Sequence, residues 1–289
     1  MKKSYIYASI SILCWSTVAV VTKILLGSLN SFQILWASSF FAGLFLLIVN
    51  IANGNILKLK KFKPKDYILA PLIALPGTFL YYVFYYNGAD RMLASQAFII
   101  NYLWPMMSVI FACILLKERF TPRKIVAIIL SFFGVAIVTG GELATFHLET
   151  VFGACLCILC AVSYGVFTAL NQKIHYEKSL SMMLGYFATF LLTTIINLCN
   201  NHLFIPDFTH TLGFLWNGMF TMALANTLWV IALQSGETAK ISNLAYITPF
   251  LALVWTSLIL KEPFSIFSLL GLTVIVLGIL LQLKDKKQG

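Results

Sequence analysis

The chain is 289 residues long, 60% hydrophobic and only 10% charged, where a soluble domain carries about 25% charged residues. A mean hydropathy of +0.89 leaves more apolar surface than one soluble core of this size can bury, which excludes a cytosolic enzyme, a secreted disulfide domain and a disordered chain. The net charge of +10 falls in short clusters between apolar runs, so it bears on membrane topology and not on nucleic acid.

In chain order, Asp, Glu, Lys and Arg are absent from residues 4–22, 24–57, 67–89, 92–116, 125–141, 150–172, 179–206, 208–236, 241–260 and 263–283. A helix crossing the hydrocarbon needs about 17–25 residues, and every stretch reaches that. The sequence therefore predicts an all-α integral membrane protein with ten transmembrane helices. A barrel would show segments of about ten residues alternating in polarity, and none is seen. The opening Met1-Lys2-Lys3 imitates a signal peptide, but the following run is too long and has no small-residue cleavage site, so it reads as an uncleaved first helix. In the third stretch Pro71 and Pro76 predict kinks, and at least two of Tyr81, Tyr82, Tyr85 and Tyr86 are expected in an interfacial belt at its outer end. All six cysteines lie in apolar spans and read as small packing residues. Cys157 and Cys160 share a face with no His or acidic neighbour, so no metal site is expected. The four histidines, His147, His175, His202 and His210, are expected in loops, and Lys23 and Lys173 near helix ends, where they can snorkel.

Placing the N-terminus inside puts 17 basic residues in the inner segments and leaves only Lys23, Arg91 and Lys261 outside. That split predicts a multi-pass protein of the cell (plasma or inner) membrane with both termini cytoplasmic. The run Lys58-Leu59-Lys60-Lys61-Phe62-Lys63-Pro64-Lys65 reads as a topology signal at the anionic lipid surface.

The halves repeat at a spacing of 144 residues. Pro105, Lys117-Glu118, Phe120 and Gly134 recur as Pro249, Lys261-Glu262, Phe264 and Gly278, and Tyr85 and Tyr102 as Trp229 and Tyr246. Trp15-Ser16 and Tyr164-Gly165 pair at a slightly longer spacing. Five helices per half is an odd number, so the second half would enter from the opposite side. The expectation is two inverted five-helix repeats, 1–144 and 145–289, around a central cavity. Such repeats let the molecule open alternately to either side of a fixed midplane site.

These motifs carry a resemblance. Ten helices in a five-plus-five duplication, with Lys117-Glu118 and Lys261-Glu262 closing the fourth helix of each half, resemble the drug/metabolite transporter superfamily, EamA branch. Leu13-Cys14-Trp15-Ser16-Thr17, Asn101-Tyr102-Leu103-Trp104-Pro105 and Val138-Thr139-Gly140-Gly141 resemble more narrowly the aromatic amino-acid exporters of the YddG type. The resemblance implies a ten-helix bundle around a central cavity that exports amino acids or related metabolites, with Trp15, Tyr102 and Trp104 lining the cavity. Tyr164 stands where the family often has Trp, which weakens the implication of aromatic selectivity.

The residues themselves point to a neutral or zwitterionic, amino-acid-like substrate. No Asp, Glu, Lys or Arg falls at an expected midplane, which argues against a carboxylate proton relay and against phosphate esters. Facilitated transport along the substrate gradient follows. Asn101, Trp104 and Ser108 share one helix face at i, i+3, i+7. Pro105 and Pro249 kink their helices and free the carbonyls of Asn101 and Ala245, which could accept an ammonium group. Asn101, Asn226 and Asn243 are either donors to a carboxylate or interhelical bridges. The rings of Trp15, Tyr82, Tyr85, Tyr102, Trp104, Tyr164, Trp229 and Tyr246 either enclose a side chain or pack the bundle. Gly134, Gly271 and Gly278 are expected to permit close helix packing. No cofactor or metal is implied. The alternatives are an exporter of another neutral metabolite or a lipid-carrier flippase of the same fold. A membrane-embedded enzyme lacks an acid or base in the spans to activate a nucleophile.

Overall fold

The computed structural model describes residues 2–140, 148–174, 177–235, 241 and 244–283. Among these the chain is helical and without strands. Eight helices are long and apolar enough to cross a membrane: α1 (Lys3–Leu26), α2 (Ser31–Ala52), α3 (Pro64–Asp90), α4 (Ala94–Leu115), α5 (Pro122–Thr139), α6 (Leu148–Gln172), α7 (Lys178–Cys199) and α8 (Phe208–Gln234). Two shorter apolar helices follow, α9 (Ala245–Ile259) and α10 (Ile266–Leu281). Large apolar side chains such as Ile48, Ile129, Phe133, Ile195, Leu258 and Leu277 are more than half exposed. This outer surface is the one a hydrocarbon solvent stabilises and water would not.

Every Asp, Glu, Lys or Arg in these helices lies in a first or last turn. Lys23, in the last turn of α1, does not reach outward to solvent. Its ammonium donates to the carbonyls of Ala89 (2.7 Å) and Met92 (2.9 Å), tying α1 to the end of α3. His210 lies in the first turn of α8 and not in a loop; His147, His175 and Gly141 lie outside the described residues. Asp207 caps α8 by accepting from the backbone N–H of His210 (2.8 Å), and this hydrogen bond holds its carboxyl below the usual range. The contribution is present above the ordinary carboxylate pKa and fades as pH falls through the lowered one. Asp207→Ala should therefore lower the melting temperature at neutral pH by more than at pH 3. An equal loss at both would remove the cap from the account.

Helices pair in the order α1 with α8, α2 with α7 and α8, α3 with α6 and α7, α4 with α6, and α5 with α10. The α5–α10 contact relies on small residues. A Cβ on Gly134 would stand 2.7 Å from the Gly271 carbonyl oxygen, and one on Gly278 would stand 2.8 Å from that of Ala127. These glycines serve close packing, as expected from their spacing.

Local irregularities recur 144 residues apart. Lys117 and Lys261 both take φ +59°, an unusual left-handed value for a side chain other than Gly. Each closes its helix in the same way: Leu116 and Glu118 N–H bond Ala112 O, and Leu260 and Glu262 N–H bond Thr256 O. A π-helical stretch, Pro76–Leu80, interrupts α3, and another, Trp216–Leu224, interrupts α8. Pro76 starts the first of these, whereas Pro71 sits within regular α-helix.

Candidate functional site

The chain loosens where its prolines remove backbone donors. In α4 the helix Ala94–Asn101 ends in a turn at Tyr102-Leu103 and resumes at Trp104–Leu115, with Pro105 as its second residue. In α9 a 3-10 turn, Ala245–Ile247, precedes Thr248–Ile259, with Pro249, buried, second in the helix. The two breaks face each other, because the Tyr102 hydroxyl donates to the Ala245 carbonyl. That carbonyl was expected to be free for a substrate; here it already has a donor from the neighbouring half-helix.

Despite the turn in α4, Asn101, Trp104 and Ser108 all meet α6, at Cys160, Tyr164 and Thr168 in successive turns, so the shared face expected from their spacing is kept. Asn101 is buried (3% exposed). Its amide nitrogen donates to the Tyr81 hydroxyl (2.8 Å), and its oxygen accepts from the Cys160 thiol (3.1 Å). Asn101 is thus an interhelical bridge joining α3, α4 and α6, and Cys160 is a hydrogen-bond donor in it as well as a packing residue. Trp104 turns to Tyr164, with ring centroids 5.2 Å apart and edge-on, and touches Tyr102 at 6.5 Å. Tyr164 continues to Tyr81 (5.1 Å) and Phe167 (5.5 Å), and Tyr81 to Tyr82 (4.8 Å). Ser108 bonds the Trp104 carbonyl and accepts from Thr168 of α6, fixing the two helices below the ring pair.

A second group lies on α1, α8 and α9. The Trp15 and Trp229 rings stand 5.3 Å apart. α1 breaks at Thr17, between Lys2–Ser16 and Val18–Leu26. There the indole N–H of Trp255 on α9 donates to Ser16 (3.0 Å). Tyr246 packs half-buried against the main core. Asn226 donates to the Met222 carbonyl one turn back (2.7 Å), which also accepts from Tyr186 (3.3 Å). Asn243 lies outside the described residues.

The tyrosines of α3 are not an interfacial belt. Tyr85 and Tyr86 are 0% exposed, and Tyr81 and Tyr82 pack against the core. The π-helical stretch is the cause: the Tyr81 N–H reaches back five residues to the Pro76 carbonyl, which also accepts from Ser163 of α6 (2.7 Å). The extra residue in that turn shifts the register of everything after it, and such insertions are frequent at functional sites. Tyr81 is the functional candidate that sequence reasoning passed over, although a Pro five residues upstream was a readable signal. Asn217 was passed over too: it is buried in the second π-helical stretch and donates to Tyr86 (2.7 Å).

The rings and amides brought together from α3, α4, α6 and α9 can hold an apolar or aromatic side chain and orient a small polar group. No group of three or more His, Cys, Asp or Glu among the described residues could hold a metal ion.

The family model of the EamA-like transporter family matches residues 2–140 and again 151–283. An uncharacterized transporter of Archaeoglobus fulgidus is 24% identical, covering 99% of each chain. The aromatic amino acid exporter YddG of Ancylobacter novellus is 22% identical, over 84% of this chain and 83% of its own. A solved crystal structure superposes over the full length of both chains with a TM-score of 0.68 at 20% identity, which speaks to the fold alone.

Proposed function

We propose, from the premise that this chain belongs to the EamA-like transporter family, that it exports amino acids, aromatic or other neutral ones, or related small metabolites by alternating access. The family makes it a multi-pass membrane transporter of a small molecule. The narrower reading rests on one observation: the continuous set of rings Trp104, Tyr164 and Tyr81, braced by Asn101 and met by the paired helix breaks at Tyr102 and Ala245. An uncharged aromatic wall takes a neutral or zwitterionic ligand at lower desolvation cost than an anion.

The assigned substrate site is Trp15, Tyr82, Asn101, Tyr102, Trp104, Tyr164, Asn226, Trp229, Asn243 and Tyr246, with Tyr81 added. Segments 1–144 and 145–289 act as inverted five-helix repeats around it. What supports this is the double family match and the 144-residue recurrence of the Lys117 and Lys261 closures, the π-helical stretches and the proline breaks. Both termini face the cytoplasm, on the strength of the 17 inner basic residues. The exporter YddG among the relatives supports an aromatic or neutral amino-acid substrate.

The test is exchange in proteoliposomes loaded with single amino acids, following uptake of labelled phenylalanine and then threonine, with and without a pH gradient. Exchange of neutral amino acids without dependence on that gradient is expected. Trp104→Ala and Tyr164→Ala should each cut exchange about tenfold, the equivalent of one lost aromatic contact of about 1.4 kcal/mol, with melting temperatures near wild type. Wild-type exchange in both folded variants would overturn the site, and folded protein that moves no amino acid would overturn the substrate class.

A further inference from the structure

A second site lies away from the aromatic group, where the connection after α2, the start of α3 and the connection between α6 and α7 come together. A crevice of about 860 Å³ opens there. Six lysines line it: Lys58, Lys61 and Lys63 from the connection after α2, Lys65 from the start of α3, Lys173 just after α6 and Lys178 at the start of α7. Its two carboxylates are already engaged. Glu177 pairs with Lys58 at 2.8 Å, and Asp66 accepts from the backbone N–H of Lys63 at 2.8 Å. Among the described residues no carboxylate pairs with Lys61, Lys63, Lys65, Lys173 or Lys178. Beneath the ammonium groups the lining turns apolar, with Phe62, Leu69, Ile73 and Ile174.

We propose that this crevice is a binding site for one anionic phospholipid, its phosphate held by the lysines and the upper part of its acyl chains lying on the apolar residues. Six ammonium groups against two carboxylates leave the crevice lining at a net +4, a local positive potential that attracts a phosphate. Lysine in such a setting acts as a point-charge phosphate binder. The apolar lining selects a lipid over a soluble anion, because a water-borne phosphate gains nothing from Leu69 or Ile73 while an acyl chain does. The position agrees, since the crevice borders the ends of α3, α6 and α7, at the level of headgroups. This goes beyond a diffuse topology signal: the lysines between 58 and 65 are far in sequence from Lys173 and Lys178, and only the fold joins them into one cavity.

The test uses the full-length protein in neutral detergent, titrated with phosphatidylglycerol, phosphatidylcholine or glycerol 3-phosphate, with bound molecules counted by native mass spectrometry. One phosphatidylglycerol should bind at least about tenfold tighter than phosphatidylcholine, from the charge of a single headgroup on several lysines. Lys173→Gln/Lys178→Gln should weaken it about 30-fold, while the untouched 58–65 run still orients the chain. Lys61→Gln/Lys65→Gln is the second variant should the first not fold, and Lys261→Gln, remote from the crevice, should bind like wild type. Wild-type binding by a folded crevice variant, equal binding of the two lipids, or glycerol 3-phosphate binding as tightly as the intact lipid would each overturn the proposal.

Discussion

A Gly218→Leu protein should fail to give a monodisperse, thermally cooperative species in detergent. Gly218 lies in the π-helical stretch of α8, where a Cβ would overlap the carbonyl oxygen of Ser38 and stand 3.0 Å from the Phe41 Cβ on α2. Backbone cannot retreat as a flexible side chain can, so α2 and α8 must part along their length. Overpacking of this kind costs about 3 kcal/mol or more, and parting the helices also strands buried Asn217, which reaches toward Ser38 and holds Tyr86. The comparison is Gly43→Ala. Its new Cβ would meet only ring atoms of Phe187 at 3.0–3.2 Å, and a ring can turn. Melting temperatures measured side by side should separate the two variants widely. Similar values would mean that the α2–α8 approach is looser than described.

Glu262→Ala is expected to have the next largest effect. The Glu262 carboxylate sits on the N-terminus of α4 and accepts from the backbone N–H groups of Ala94 (2.6 Å) and Ser95 (3.0 Å). Both residues are buried, so neither N–H has water to fall back on. A carboxylate at a helix N-terminus also faces the positive end of the helix dipole. Losing two charge-assisted hydrogen bonds to buried donors should cost about 3 kcal/mol, and Glu262→Gln, which keeps one acceptor, should cost about half that. Its counterpart 144 residues earlier is Glu118; the residues corresponding to Ala94 and Ser95, 238 and 239, lie outside the described residues. Glu118 is half-exposed and pairs with Lys124 at 3.2 Å. Unfolding midpoints in the order wild type, Glu262→Gln, Glu262→Ala would support the cap. A Glu262→Ala midpoint equal to that of wild type would refute it.

The Glu262 cap separates what sequence can state from what it cannot. The pair Lys117-Glu118 and Lys261-Glu262 is visible as a repeat, and so is its position after the fourth and ninth spans. That Glu262 docks on the helix end at Ala94 depends on where a distant segment lies. The same holds at the aromatic site. Tyr102 and Trp104 were legible as candidates because a Pro-containing Asn-Tyr-Leu-Trp-Pro run is unusual in an apolar span, and Tyr164 because it pairs with Trp15 in the repeat. Tyr81 was not, because a π-helical turn after Pro76 rotates it inward, and helical periodicity assumes regular turns. The tyrosines of α3 were assigned to an interface by their nearness to a span end, a one-dimensional measure blind to what packs alongside. From the sequence Asn101 could equally face a ligand or a neighbour, and only the fold shows the Tyr81 hydroxyl and Cys160 thiol as its partners.

By itself the sequence determined that this is a helical membrane protein, where its apolar spans run, and that its halves correspond. These follow from transfer free energies and backbone donor loss, which are local and additive along the chain. The tertiary structure alone decided that the α4 and α9 breaks meet, that Lys23 turns to the end of α3, that α2 and α8 touch at Gly218, and that two distant lysine clusters share one crevice. Those depend on hydrogen bonds and close contacts between residues 60 to 180 positions apart, whose geometry exists only once the helices have packed.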